Sequence, residues 1–221
     1  TSILESIFMF SSGKSFKSSN ITSLINYKFD NFNLKAFDSE RGYVAEIQKN
    51  INKPISVQLN NSKITTSKLI REFPCSPIHN NTFSFADAPP EFRRKLLDRS
   101  IFIADENFSS TWFSFYRSLK QRNSSLKKGI RDEIPVWNNS FIKEGESLSR
   151  LRRSFFELTL LEFKNFLNLT KPNNIFSFFN DINITFFNGW GDDQSLNDVL
   201  ENNVEADFRR KTTTKGPHKA D

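Results

Sequence analysis

The sequence predicts an α/β protein with a strand-bearing first third, a long helical middle and a short return at the end. Three observations carry this reading. Apolar and polar residues alternate from Phe32 to Thr65, the period of half-buried strands. Beyond Pro89-Pro90 the apolar spacing becomes helical and stays so to Leu169. A second alternating stretch, Ile182 to Phe187, then precedes one more helix.

Ile3, Leu4, Ile7 and Phe8 share one helical face, which predicts an opening helix ended by Ser11-Ser12-Gly13. Strands follow at Phe32–Phe37, Tyr43–Ile47, Ile55–Leu59 and Lys63–Thr65, with Asn60-Asn61 as a turn signal. Proline is favourable at a helix start, so Pro89-Pro90 opens a helix from Glu91 to Ile103. Trp112, Phe115, Tyr116 and Leu119 make the apolar face of the next, Phe108 to Lys128, which Gly129 stops. A third helix runs from near Trp137 toward Leu169, with Leu148, Leu151, Phe155 and Leu158 as its stripe. Lys171-Pro172 closes it. Ser195 is the expected N-cap of a last helix through Val204.

The chain has 221 residues, enough for one domain or one and a half. Its 25 Phe supply much of the core-forming surface. The net charge of +6 suits a polyanionic partner, nucleic acid first. One cysteine, Cys75, allows no internal disulfide and fits a reducing, cytoplasmic setting. Thr1–Ser12 lacks a basic leader region, and no apolar run approaches the roughly 20 residues of a membrane span.

Gly13-Lys14-Ser15 invites a phosphate-loop reading. That loop needs a second glycine five residues before the Gly-Lys pair, and that position is Phe8. It also needs a strand before it, where a helix is expected here. Other chemistry is poorly supported. Two His and one Cys do not build a typical zinc site without carboxylates. His79 and His218 lie in no recognisable triad context, and Asp192-Asp193 reads as turn chemistry.

Several short motifs fall in a shared order. They are Thr1-Ser2-Ile3-Leu4-Glu5-Ser6-Ile7, Gly13-Lys14-Ser15-Phe16-Lys17, Pro89-Pro90-Glu91-Phe92-Arg93-Arg94-Lys95-Leu96-Leu97-Asp98 and Leu119-Lys120-Gln121-Arg122-Asn123. Trp137, Gly189-Trp190 and Asp207 come next, and Gly216-Pro217-His218-Lys219-Ala220-Asp221 ends the series. In this order they resemble the RecF family of bacterial DNA-repair ATPases. The chain departs from the family near Ser76-Pro77, where Ile78 and His79 replace the usual acidic residue. The family's Walker A glycines and lysine, Leu-Ser-x-Gly-Gln signature and Walker B acidic pair are not in this sequence. The family places the first before Thr1 and the others after Asp221, so the expectation is an internal fragment of a longer protein.

The resemblance implies a partial ABC-type ATPase head, like that of structural-maintenance-of-chromosomes proteins, with an inserted, mainly α-helical lobe. Residues 1–80 would belong to the head, 81–210 to the helical lobe, and 211–221 would return to the head. It implies binding of single- and double-stranded DNA that depends on ATP and Mg²⁺, an ATP-dependent homodimer, and work with RecR and RecO to load RecA at gaps during recombinational repair and the SOS response. Thr1 and Ser2 would bind the nucleotide, with the Thr1 hydroxyl on the metal. Gly216, Pro217, His218 and Asp221 would form a head-lobe motif. This chain alone should not hydrolyse ATP.

Nine basic residues between Arg93 and Lys128 face only three acids, so this stretch could neutralise phosphates. Arg93, Arg94, Lys120, Arg122, Arg209, Arg210 and Lys219 are the candidate DNA contacts. Arg93-Arg94 could instead pair internally with Asp98, and Gln121 and Asn123 could fix a junction through backbone bonds. Arg150, Arg152 and Arg153 read as a solvated helix flank. Trp112, Trp137 and Trp190 read as core, and His218 as a structural or phosphate-orienting histidine. The alternative to the repair ATPase is a non-enzymatic basic helical module that binds protein.

Overall fold

The computed structural model describes residues 2–75, 87–170 and 183–221. The chain divides into two compact units, Thr1–Phe83 and Ser84–Asp221.

The first unit is a four-stranded antiparallel sheet with two helices. Its strands are β1 (Asn31–Asp38), β2 (Tyr43–Asn50), β3 (Ser56–Leu59) and β4 (Ser62–Lys63), in that spatial order. The register sets Leu34 opposite Ile47 and Ile47 opposite Val57, and likewise Ala36, Ala45 and Leu59. Because alternate side chains point to opposite faces, these rows put one apolar face inward. Asn60 and Asn61 both have positive φ, 49° and 64°, as the tight β3–β4 hairpin requires. Helices α1 (Ser2–Ser12) and α2 (Thr66–Glu72) complete the unit. Thr65 caps α2 by accepting the Lys68 N–H. This seven-residue helix was not expected, being too short to show a period.

The inward face of α1 is the reverse of the expected one. Met9 and Phe10 join Ala45, Ile47, Val57 and Leu69 in the core, with Glu5 buried beside them. Ile3, Leu4 and Ile7 are exposed. Apolar spacing identified a helix but not which of its faces this unit covers.

The second unit holds α3 (Pro90–Ala104), α4 (Phe108–Lys128), α5 (Ile134–Thr170) and α6 (Leu196–Arg210). Pro90 occupies the first turn of α3, and Gly129 ends α4 in the left-handed region at φ 74°. Ser195 caps α6 as expected, but the helix runs past Val204 to Arg210 and ends on Lys211 at φ 54°. The core gathers Ile101, Phe108, Phe115, Leu119, Phe141, Leu148, Leu196 and Leu200, with Trp112 and Trp190 packed against it. Trp137 is half-buried. Leu148 heads the expected α5 stripe, whereas Leu158 is exposed.

Lys171-Pro172, Ser76-Pro77, Ile78, His79 and Ile182 lie outside the described residues. Asn183–Phe187 forms no strand. Phe187 alone exchanges two backbone hydrogen bonds with Asp221: its N–H donates at 2.5 Å, and the Asp221 N–H returns the bond at 2.8 Å.

Candidate functional site

The last ten residues of the chain are packed into the helical unit by arginines from three helices. Lys211 turns the chain at the end of α6. A short 3₁₀ turn, Pro217–Lys219, follows Gly216. Gly216 N–H donates to the Gly189 carbonyl at 3.0 Å. The approach is so close that a Cβ on Gly189, at φ 101°, would lie 2.1 Å from the Gly216 oxygen. Glycine is needed here for both space and backbone conformation.

Arg122 of α4 is wholly buried. Its Nη1 donates to Asp207 Oδ2 and to Thr213 Oγ1, both at 2.7 Å, and its Nε donates to Asn138 Oδ1 at 2.8 Å. Asp207, also fully buried, accepts the Thr214 N–H and hydroxyl on its other oxygen. Asn123 accepts both the N–H and the hydroxyl of Thr213 at 2.7 Å. Thus Arg122 and Asn123, adjacent on α4, hold the threonine cluster from two directions. Breaking a buried, hydrogen-bonded ion pair of this kind typically costs about 3–5 kcal/mol.

Arg152 of α5 makes the second tie. Its Nε and Nη2 donate to the two oxygens of Asp98 on α3 at 2.7 and 2.8 Å, and its Nη1 donates to the Pro217 carbonyl at 2.7 Å. Trp112 Nε1–H donates to the same Asp98 at 3.0 Å. The expectation of a solvated Arg150–Arg153 flank is therefore corrected at Arg152, which is fully buried. Arg153 is partly exposed and pairs with Asp192.

Arg93 and Arg94 of α3 meet the end of the segment. Arg93 grips Asp221 with Nε at 2.6 Å and Nη2 at 2.5 Å, and Arg94 Nη1 donates to the Ala220 carbonyl at 2.5 Å. The bond to Asp221 holds the Arg93 guanidinium above its ordinary pKa. Asp98, the expected internal partner of this pair, is taken by Arg152 instead. Beside Arg93 and Arg94 opens a mostly apolar cleft of about 690 Å³, lined among others by Phe155, Phe156, Phe163 and Phe186.

His218 sits at the centre of the turn. Its Nε2 lies 2.9 Å from the Thr213 carbonyl. A carbonyl only accepts, so Nε2 carries the proton and Nδ1 is bare. Part of the residue reaches solvent, but Nδ1 is shielded from it. Burial pushes the imidazole pKa down to about 4, against a smaller upward pull from the bond to Thr213. The ring stands edge-on to Phe141, with centroids 6.1 Å apart.

The remaining sequence candidates lie apart from this segment's interior. Lys120, Arg209, Arg210 and Lys219 are exposed. Arg122 is closed to solvent, so its expected DNA contact gives way to the internal role above. Gly13-Lys14-Ser15 caps α1: Gly13 N–H donates to the Met9 carbonyl at 2.8 Å with φ 63°, and Ser15 Oγ bonds Glu5. Thr1 lies outside the described residues, and Ser2 is the exposed first residue of α1. Among the described residues, no group of three or more His, Cys, Asp or Glu side chains is placed to hold a metal ion. No described helix is long and apolar enough to cross a membrane.

The role of Arg152 was invisible in the sequence because its partner Asp98 is 54 residues away.

No family model matches the chain. Curated relatives do. The chain is 32% identical to the DNA replication and repair protein RecF of Pseudoalteromonas translucida (strain TAC 125), over all of this chain and 61% of the relative. It is 28% identical to RecF of Shewanella frigidimarina (strain NCIMB 400), covering 61% of it, and 32% identical to RecF of Francisella tularensis subsp. tularensis (strain WY96-3418), covering 62%. In fold it resembles the recombination mediator protein RecF-ATPrS of the RecFOR pathway, with a TM-score of 0.77 at 21% identity over 99% of this chain and 62% of that one. The RecF-ATP structure gives a TM-score of 0.73 with the same coverage. The fold is thus that of a partial α/β ABC-type head with a helical lobe. The chain spans about three fifths of the length of the curated relatives it matches, and over its whole length it is similar to RecF proteins.

Proposed function

We propose that this chain is the central part of a DNA replication and repair protein of the RecFOR pathway, one that binds single- and double-stranded DNA under the control of ATP and helps load RecA at gaps in recombinational repair and the SOS response. The observation that supports this best is the end-to-end similarity to RecF sequences. It includes the terminal segment that the buried arginines hold. On this reading residues 1–80 are head, 81–210 the helical lobe, and 211–221 the link back to the head. The partners are DNA, RecR, RecO and a second copy, in the cytoplasm.

The residues present fit a nucleotide at the start of α1 in a limited way. Ser2 stands in the first turn, where helix N–H groups lack partners within the helix. Glu5, the acid of that turn, is engaged by Ser15 and Lys17. Thr1 and Ser2 would hold Mg²⁺ and the phosphates. The bound metal would supply charge neutralisation, while α1 orients the phosphates through its backbone. Lys14 has no part in this reading, and Lys14→Ala is expected to leave nucleotide binding unchanged. With no Walker A lysine, signature or Walker B acids in its sequence, this chain does not turn over ATP by itself.

The test is duplex and gapped DNA binding by the complete gene product, with and without ATP and Mg²⁺, across a salt series. ATP-raised, salt-sensitive affinity is expected. No DNA affinity in either state overturns the reading. It would favour the alternative, a basic helical module that binds protein, for which the apolar cleft beside Arg93 is the supporting feature.

A further inference from the structure

Helix α4 has a charge pattern that the arginine ties do not explain. From Phe108 to Arg131 the chain carries six basic residues and no acidic one. Two of the six are accounted for: Arg122 is buried on Asp207, and Arg131 pairs with Glu205. The other four, Arg117, Lys120, Lys127 and Lys128, are exposed and make no ion pair among the described residues.

Each helical residue advances the side chain by about 100° and 1.5 Å. Arg117, Lys120, Lys127 and Lys128 therefore fall within an arc of about 100° along roughly 16 Å of axis. The buried residues Phe115, Leu119, Arg122 and Leu126 occupy the opposite side. Phe113 is 67% exposed and stands in the same arc as the four cations. Ser114 and Gln121 flank it.

A solvated helix face usually mixes both signs, because i,i+4 pairs of opposite charge stabilise it. This one is of a single sign and pays like-charge repulsion between neighbours. Basic residues at the last turn alone would answer the helix dipole. Arg117 and Lys120 lie about two turns or more before that end, where the dipole gives them no role. Cations in a row, neutral hydrogen-bonding groups beside them and one bare aromatic ring suit a polynucleotide backbone.

We propose that the outward face of α4, centred on Arg117, Lys120, Lys127 and Lys128, binds the phosphate backbone of DNA. The inference rests on the nucleic-acid reading above and says where the contact is made. It moves the contact away from Arg93, Arg94 and Arg122, whose guanidinium groups serve the terminal segment.

The experiment measures the affinity of the full chain for a short random-sequence DNA duplex as a function of salt. It compares the wild type, Arg117→Gln/Lys120→Gln/Lys127→Gln/Lys128→Gln, and a control, Lys28→Gln/Lys35→Gln/Lys53→Gln/Lys63→Gln, which removes the same charge from exposed positions in the first unit. All eight positions are on the surface, and circular dichroism checks that each variant folds. Each lost phosphate contact lowers the slope of log K against log salt by about 0.9. The α4 variant is expected to lose a slope of about 2–4 and at least tenfold in affinity at low salt, with the control near wild type. Equal losses in both variants, or none in the α4 variant, overturn the proposal while leaving DNA binding intact. The second result is also what a surface for an acidic protein would give. No binding by the wild-type chain at low salt overturns both the proposal and the DNA reading of this chain.

Discussion

Asp98 on α3 and Arg152 on α5, 54 residues apart in sequence, meet in a two-point ion pair whose third arm reaches the Pro217 carbonyl. This one guanidinium joins two helices to the terminal segment. Arg122 does the same from α4, through Asp207 and Thr213. The helical unit and residues 211–221 are therefore one packed body, held by charge buried away from water.

Removing one partner of the Asp98–Arg152 pair strands the other. Arg152→Met is expected to lower the unfolding free energy by about 3–5 kcal/mol. The double variant Asp98→Leu/Arg152→Met is expected to lose clearly less than the two single changes together, since no charge is left buried without a partner. Urea denaturation of the four proteins closes the cycle. Additive losses would mean the pair is not coupled.

The same test applies to Arg122. Arg122→Met is expected to destabilise by about 3–5 kcal/mol, which an exposed DNA-contact arginine would not do. Thermal unfolding without DNA reads this directly. A variant as stable as wild type would place Arg122 back on the surface.

His218 makes stability depend on pH. Its folded pKa is about 4, against an ordinary value of 6.5. Between these values the unfolded chain binds a proton that the folded chain refuses, so stability falls as pH drops from 6.5 toward 4. The contribution is at most about 3 kcal/mol. His218→Gln keeps a donor for the Thr213 carbonyl without a titrating group. The wild type's extra loss across this window should be missing in the variant, and parallel pH profiles would rule the buried histidine out.

Two glycines with similar backbone angles should respond differently. Gly189→Ala drives a Cβ into the Gly216 carbonyl, whereas Gly191, at φ 106°, has nothing within 4 Å of that position. Gly189→Ala is expected to cost about 2–4 kcal/mol and Gly191→Ala about 1 kcal/mol. Comparing their melting temperatures checks the close approach of the two segments.

The sequence exposed what is local. The strands alternate because one face of the sheet is buried, and α3, α4 and α6 sit where Pro90, Gly129 and Ser195 mark their ends. What it hid depends on distant partners. Arg152 looked solvated because Asp98 is far along the chain. The exposed side of α1 looked like a core face because Ile3, Leu4 and Ile7 are apolar, although Met9 and Phe10 are the residues that pack in this unit. Asn183–Phe187 alternates like a strand, yet among the described residues its backbone pairing is that of Phe187 with Asp221. The motif Leu119–Asn123 was visible as a motif. Its work, holding Thr213 through Arg122 and Asn123, needed the fold to bring residue 213 within reach.

The most direct test of this account is amide hydrogen exchange in the terminal segment. Gly216, Lys219, Ala220 and Asp221 each donate a backbone hydrogen bond within the helical unit. In the wild type these amides should be protected nearly as well as those of α4, and Asp98→Ala should release them while α4 stays protected. Free exchange of these four amides in the wild type would contradict the account, because the buried arginines would then be holding nothing in place.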